Sequence, residues 1–115
     1  MSIADFSAAY LEAAIWSSVP DGPEGDAWHA APLSPQLTER MAADCSAFYL
    51  AHGEMIEEAG TAKQAGHDFW LTRCGHGAGF WDGDWPEPAA TVLTDAAHAF
   101  GNVDLYLGDD GALYA

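Results

Sequence analysis

Apolar residues recur at helical spacing from the start of the chain, through Ile3, Phe6, Tyr10, Ala14 and Ile15, and Ser2 followed by Asp5 forms a capping-box pattern. This predicts a first helix over residues 2–17. Residues 17–32 then lose the period, carry Pro20, Pro23 and Pro32 with Asp21, Glu24 and Asp26, and keep Trp28 as the one large apolar anchor, so they read as an acidic loop. Ser34 before Pro35 is a helix start, since the hydroxyl can satisfy an orphan amide and proline is tolerated at the first helical position. The second helix runs to Ala59 and stops at Gly60. Its predicted buried stripe is Leu37, Met41, Cys45, Phe48, His52, Met55 and Ala59.

The period then changes. Asp68 to Arg73 alternates, with Phe69, Leu71 and Arg73 on one side and Trp70 and Thr72 on the other, which predicts a strand. Gly75, Gly77, Gly79 and Gly83 permit tight turns, and Phe80, Trp81 and Trp85 are expected to fold back onto the sheet. A third helix is expected over residues 89–100, with Leu93, Ala96, Ala97 and Phe100 as its apolar face and Gly101 closing it. Val103, Leu105 and Leu107 alternate with Asp104 and Tyr106 before the Asp110-Gly111 turn signal, so the chain ends in a β-hairpin. The expectation is a single α+β domain over residues 1–115, with two N-terminal helices, a small, mainly antiparallel three-stranded sheet and a third helix.

Charge changes this ordinary picture. Eighteen Asp and Glu face three Lys and Arg, a formal net charge of −15, while half of the residues are hydrophobic. The acidity therefore belongs to a folded domain rather than a disordered tail. Self-repulsion of this size costs stability, so a saline cytoplasm, a multivalent cation or a strongly basic protein partner is implied. Direct nucleic-acid binding is excluded, because phosphate affinity needs Lys and Arg that the chain lacks. No apolar stretch approaches membrane-spanning length and no signal-like start is present, so a cytoplasmic location is expected. Cys45 and Cys74 are read as free thiols.

The second helix carries the sharpest local violation. At about 100° per residue, Glu39, Glu54, Glu57 and Glu58 lie opposite the apolar stripe. Three of them crowd the C-terminal turns, against the helix macrodipole, and Glu54 and Glu58 form a like-charge pair four residues apart. Such violations mark function more often than accident. The carboxylates expected to meet a partner are Asp21, Glu24 and Asp26 in the loop, Glu54, Glu57 and Glu58 on the helix, and Asp104, Asp109 and Asp110 at the hairpin. A domain of this length is roughly 35 Å across, and duplex DNA of that length carries about 20 phosphates. The carboxylate set is of comparable size.

Catalytic chemistry is the competing reading. His67, His76 and Asp82, with Cys74, are chemically possible zinc ligands or acid-base groups. Their spacing matches no familiar paired pattern, and a histidine bonded to loop carbonyls is the plainer account. Asp82-Gly83-Asp84 and Asp109-Asp110-Gly111 resemble fragments of calcium loops without the ligand spacing of an EF-hand. Arg73 is expected to brace a carboxylate internally, such as Asp68 or Asp104. No cofactor, no metal and no enzymatic activity are expected.

The string HDFWLTRCGHGAGFWDGD, from His67 to Asp84, and VLTDAAHAFGNVDLYLGDDG further on resemble a family of small acidic proteins from phages and mobile elements that includes type I-C anti-CRISPR proteins. The opening MSIADFSAAYLEAAIWSS looks similar too. The resemblance implies inhibition of a Cascade surveillance complex by an acidic surface that imitates DNA. The partner would be a basic DNA-binding groove on either the large subunit or the repeated backbone subunits. An acidic accessory protein with another basic partner and an acidic protein of a salt-loving host remain alternatives.

Overall fold

The computed structural model describes residues 3–20, 22–74, 79–81 and 84–115. Its elements in chain order are α1 (Ile3–Ser18), α2 (Pro23–Ala30), α3 (Pro35–Ala59), α4 (Ala62–Cys74), α5 (Ala89–Ala99), β1 (Tyr106–Leu107) and β2 (Leu113–Tyr114). The fold is mostly helical, and the only sheet among the described residues is the two-stranded antiparallel β1–β2 pair. The expected three-stranded α+β architecture is therefore incorrect.

The error lies chiefly at Asp68–Arg73, which is the second half of α4 and not a strand. Asp68, Phe69, Trp70, Thr72 and Arg73 are all buried, so α4 is enclosed around most of its circumference. A helix buried all round loses the amphipathic stripe that identifies it, and a run of aromatic and β-branched residues then mimics alternation. The second error is α2, which occupies part of the expected loop. Pro23 stands in its first turn, where the missing N–H costs nothing. Apart from Gly25, its placed residues remain at least partly exposed, so no apolar period announces it.

The other expectations hold more closely. Ser34 Oγ accepts from the Leu37 amide at 3.1 Å and starts α3, and the Gly60 amide donates to the Ile56 carbonyl where α3 ends. The buried face of α3 is Leu37, Cys45, Phe48, Tyr49, Gly53 and Ile56, rotated toward Tyr49 and Ile56 from the predicted stripe. Met41, His52, Met55 and Ala59 are only half-buried. Gly111 adopts φ +82° at the hairpin turn, a conformation glycine reaches without strain. The proposed Ser2 cap and the glycines at 75, 77 and 83 lie outside the described residues.

The main packing is α1 on α4. Ala9 and Ala13 on α1 and Ala62, Ala65 and Gly66 on α4 are all buried. A side chain at Gly66 would run into the carbonyl oxygen of Phe6, so the two backbones approach as closely as they do only because glycine stands there. Trp70 Nε1 donates to Ser17 Oγ at 2.7 Å and fixes the far end of the pair. Against this pair lies an aromatic core. Phe48 and Phe69 stack at 4.1 Å, with Phe6, Phe80 and Phe100 each within 5.9 Å of Phe48.

Phe80 and Trp85 fold back onto helices rather than onto a sheet, and Trp81 is half-exposed at 51%. The Phe80 amide donates to Thr72 Oγ1 at 3.1 Å, which ties this returning segment to α4. The body measures 43 × 25 × 21 Å. No helix among the described residues is long and apolar enough to cross a membrane.

Candidate functional site

The polar residues of the interior come first, because they decide which charges are left outside. Arg73 is 5% exposed, and its position in the last turn of α4 aims the guanidinium at the C-terminal end of α5. Nε donates to the Gly101 carbonyl at 2.8 Å and Nη2 to the Phe100 carbonyl at 2.9 Å. Nη1 donates to Asp44 Oδ2 at 2.9 Å and to the Tyr10 hydroxyl at 3.0 Å. The guanidinium also lies 5.3 and 5.5 Å from the ring centres of Phe69 and Phe100. A cation at the carbonyl end of a helix, stacked on aromatic faces and paired with a carboxylate, is a structural brace.

Arg73 is thus an internal brace as expected, with Asp44 rather than Asp68 or Asp104 as its acid. Asp68 instead accepts from Trp85 Nε1 at 2.6 Å. His67 turns the other way, with Nε2 3.3 Å from Glu12 Oε1 on α1. His67 and Asp68 therefore serve different faces of α4 and do not form an acid-base pair. His76 and Asp82, the other members of the possible catalytic set, lie outside the described residues.

The thiols are poorly suited to nucleophilic work. Burial pushes the Cys45 thiol up to about 12, and burial also raises Cys74, whose Sγ donates to the Val103 carbonyl at 3.3 Å. A thiol held protonated is neither a good nucleophile nor a metal ligand. Among the described residues no group of three His, Cys, Asp or Glu is arranged to hold a metal ion.

The exterior is different in kind. With Arg73 buried, the remaining basic residues are Arg40 and Lys63, both exposed. Glu54, Glu57 and Glu58 stand exposed at the C-terminal end of α3. Glu57 Oε2 accepts from the Tyr49 hydroxyl at 3.1 Å, which orients that carboxylate along the helix. The hairpin sits at the other end of α3: the Ser34 amide donates to the Leu113 carbonyl at 2.9 Å, and Gln36 Nε2 donates to the Ala115 carbonyl at 2.7 Å. From Gln36 to Glu54 the helix rises about 27 Å.

The predicted carboxylates therefore do not form one cluster. Asp104, Asp109 and Asp110 occupy the hairpin end, Glu54, Glu57 and Glu58 the opposite end, and Asp26 is exposed on α2 just upstream of Ser34. Glu24 also belongs to α2, and Asp21 lies outside the described residues. Asp110 is occupied within its own hairpin, accepting from the Tyr114 hydroxyl at 2.6 Å and the Ala112 amide at 3.0 Å. Those two hydrogen bonds, Tyr114 first, hold its carboxyl below the usual carboxylate range.

Sequence reasoning missed one feature of this exterior. Leu50 projects from the acidic face of α3 and is 90% exposed. Beside it an open groove of about 660 Å³ is lined by Ile3, Tyr49, Leu50 and Gly53, with Glu54, Glu57 and Glu58 along its edge. The helical wheel held the signal, since Leu50 falls within about 40° of Glu39, Glu54 and Glu57. Trp28 is half-buried and Trp85 buried, and the outward tryptophans among the described residues are Trp16 and Trp81.

Comparison of the chain with protein-family models, with curated proteins and with solved structures finds no match.

Proposed function

We propose that this protein is a non-enzymatic acidic decoy that occupies a basic, DNA-binding groove on another protein, and that its target is a type I-C Cascade complex. The observation that carries this reading is the division of charge between interior and exterior. Of the three basic residues, Arg73 is spent inside the fold. The surface thus carries carboxylates along a 43 Å body with Arg40 and Lys63 as the cations to offset them. A DNA duplex of that length presents about 25 phosphate charges. The formal charge of −15 is of the same order and is held on a folded frame. Such a surface meets a Lys- and Arg-lined groove as DNA does, displacing the counterions of the basic partner.

The separation of the carboxylates supports the same reading. A single compact cluster suits a point cation, whereas acidic groups at both ends of an elongated body suit an extended groove. The choice of Cascade rests on the resemblance of the His67–Asp84 string and the C-terminal segment to the phage and mobile-element family. Under this reading the inhibitor has no cofactor, and it competes with target DNA for the large subunit or the repeated backbone subunits.

The test is an order-of-addition gel shift. Purified protein mixed with type I-C Cascade before target DNA is expected to prevent the shift, and the same amount added after the DNA is expected to displace little. No inhibition in either order would overturn the assignment to Cascade.

A further inference from the structure

The groove beside Leu50 is not explained by imitation of a phosphate backbone, which presents charge without an apolar knob. A single exposed leucine on a helix needs no explanation. Here, however, Leu50 at 90% exposure adjoins Ile3 at 38%, and the two border one open trough with the Tyr49 ring and the Gly53 backbone. A side chain added at Gly53 would lie 3.0 Å from the Tyr49 ring, so the glycine lets that ring pack close against the α3 backbone where both line the trough. Glycine in a helix interior is intrinsically unfavourable. The volume of about 660 Å³ falls in the range of binding sites generally.

Charge selects the occupant. The residues bordering the trough include Glu54, Glu57 and Glu58 and none of the three basic residues of the chain. A second copy of this chain seated there would bring its own three glutamates against these with no cation between them, and like charges across an interface are strongly disfavoured. An anionic lipid surface or a nucleic acid is repelled for the same reason. We propose that the trough seats an apolar side chain presented from a Lys- and Arg-rich surface of a partner protein, with Leu50 as the central contact and Glu54, Glu57 and Glu58 pairing with the flanking cations. This arrangement, an apolar centre with a charged rim, is how protein interfaces concentrate affinity. The proposal deepens the decoy reading and shares its premise of a basic protein partner, without depending on that partner being Cascade.

The test uses synthetic helical peptides, so that its outcome is separate from the Cascade gel shift. One labelled peptide carries lysines and arginines flanking two leucines four residues apart, and its control has alanines in place of the leucines at equal charge. Anisotropy titrations against the full chain are read at low and at high salt. The leucine peptide is expected to bind about tenfold tighter or more, and that advantage should persist as salt weakens both peptides together. Leu50→Asp should abolish the advantage, while the control peptide, which meets one further carboxylate, should bind at least as tightly as before, and the exposed position of residue 50 protects the fold. Equal binding of the two peptides, or an advantage that survives Leu50→Asp, would overturn the proposal. So would reversible dimerisation of the wild-type chain in sedimentation that Leu50→Asp removes, since the trough would then belong to a second copy.

Discussion

Helices α3 and α4 break the rule of polar outside and apolar inside in opposite directions. α4 buries Asp68, Thr72 and Arg73, and α3 holds Leu50 out in solvent among carboxylates. The inward polar groups are matched within the fold: Arg73 by Asp44, Tyr10 and two carbonyls, Asp68 by Trp85, and Thr72 by the Phe80 amide. Leu50 has almost no cover. Buried polarity that is fully matched specifies a fold, and exposed apolarity in a charged field leaves a surface for something else. The difference separates scaffold from function, and it places the motif-rich segment around His67–Arg73 on the scaffold side.

The largest expected effect tests the scaffold half. Arg73→Met leaves Asp44 without its cation and the Phe100 and Gly101 carbonyls without donors. Breaking a buried pair from one side costs about 3–5 kcal/mol, a large part of the stability of an ordinary domain. Urea denaturation should show that loss. Asp44→Leu added to Arg73→Met should recover part of it, because the stranded carboxylate is then gone. A loss below about 1 kcal/mol for the single variant would mean that Arg73 is dispensable inside and belongs with the functional surface.

The sequence carried these two halves unequally. α1, α3, α5 and the terminal hairpin were legible because the helices each bury one face and signals such as Ser34-Pro35, Gly60 and Asp110-Gly111 punctuate the chain. α4 was not, since enclosure on most sides erased its stripe, and Phe69, Trp70, Leu71 and Thr72 fit a strand as well as a helix until the crossing with α1 is known. The close approach at Gly66 is a tertiary fact with no local signature. On the candidate site, the identity of the acids could be read directly, but their distribution could not. Only the fold shows that α3 holds Glu54, Glu57 and Glu58 some 27 Å from its hairpin end, or that Asp110 is engaged by Tyr114. Leu50 falls on the charged side of the helical wheel, where its apolar side chain stands alone among carboxylates.

A smaller effect, of opposite sign, tests the outer half. Glu58→Lys replaces a like-charge pair with Glu54 by a favourable one in the preferred order and puts a cation at the carbonyl end of α3. Stability should rise by about 0.5–1 kcal/mol at low ionic strength, and the gain should shrink as salt is added. The same variant should bind a basic partner more weakly. Higher stability with lower affinity is the behaviour of a residue retained for binding, and a variant that is less stable than the wild type would place Glu58 on the scaffold side instead.

The smallest effect concerns Asp110, a carboxylate of the predicted partner set that also serves its own hairpin. Asp110 is exposed, yet its carboxylate accepts from the Tyr114 hydroxyl and the Ala112 amide, which lowers its pKa from the ordinary 3.8. The sign follows directly. An acid with a lowered folded value lends its support above 3.8 and withdraws it as pH falls through that lower value. The Tyr114 hydroxyl, raised from 10.0 by the same hydrogen bond, sets the opposite limit: its support is present below 10.0 and lost as pH rises through the raised value. The stacked rings of Tyr106 and Tyr114, 5.6 Å apart, supply the readout. Their NMR ring-current shifts should stay constant through neutral pH and collapse toward unstacked values below the ordinary carboxylate range. Asp110→Asn keeps an oxygen to accept from Tyr114 but no longer titrates, so its tyrosine shifts should not follow acid. If the wild-type shifts ignore acid, or the variant titrates like the wild type, Asp110 is not held by its hairpin. It then joins Asp109 as an exposed carboxylate available to a basic partner.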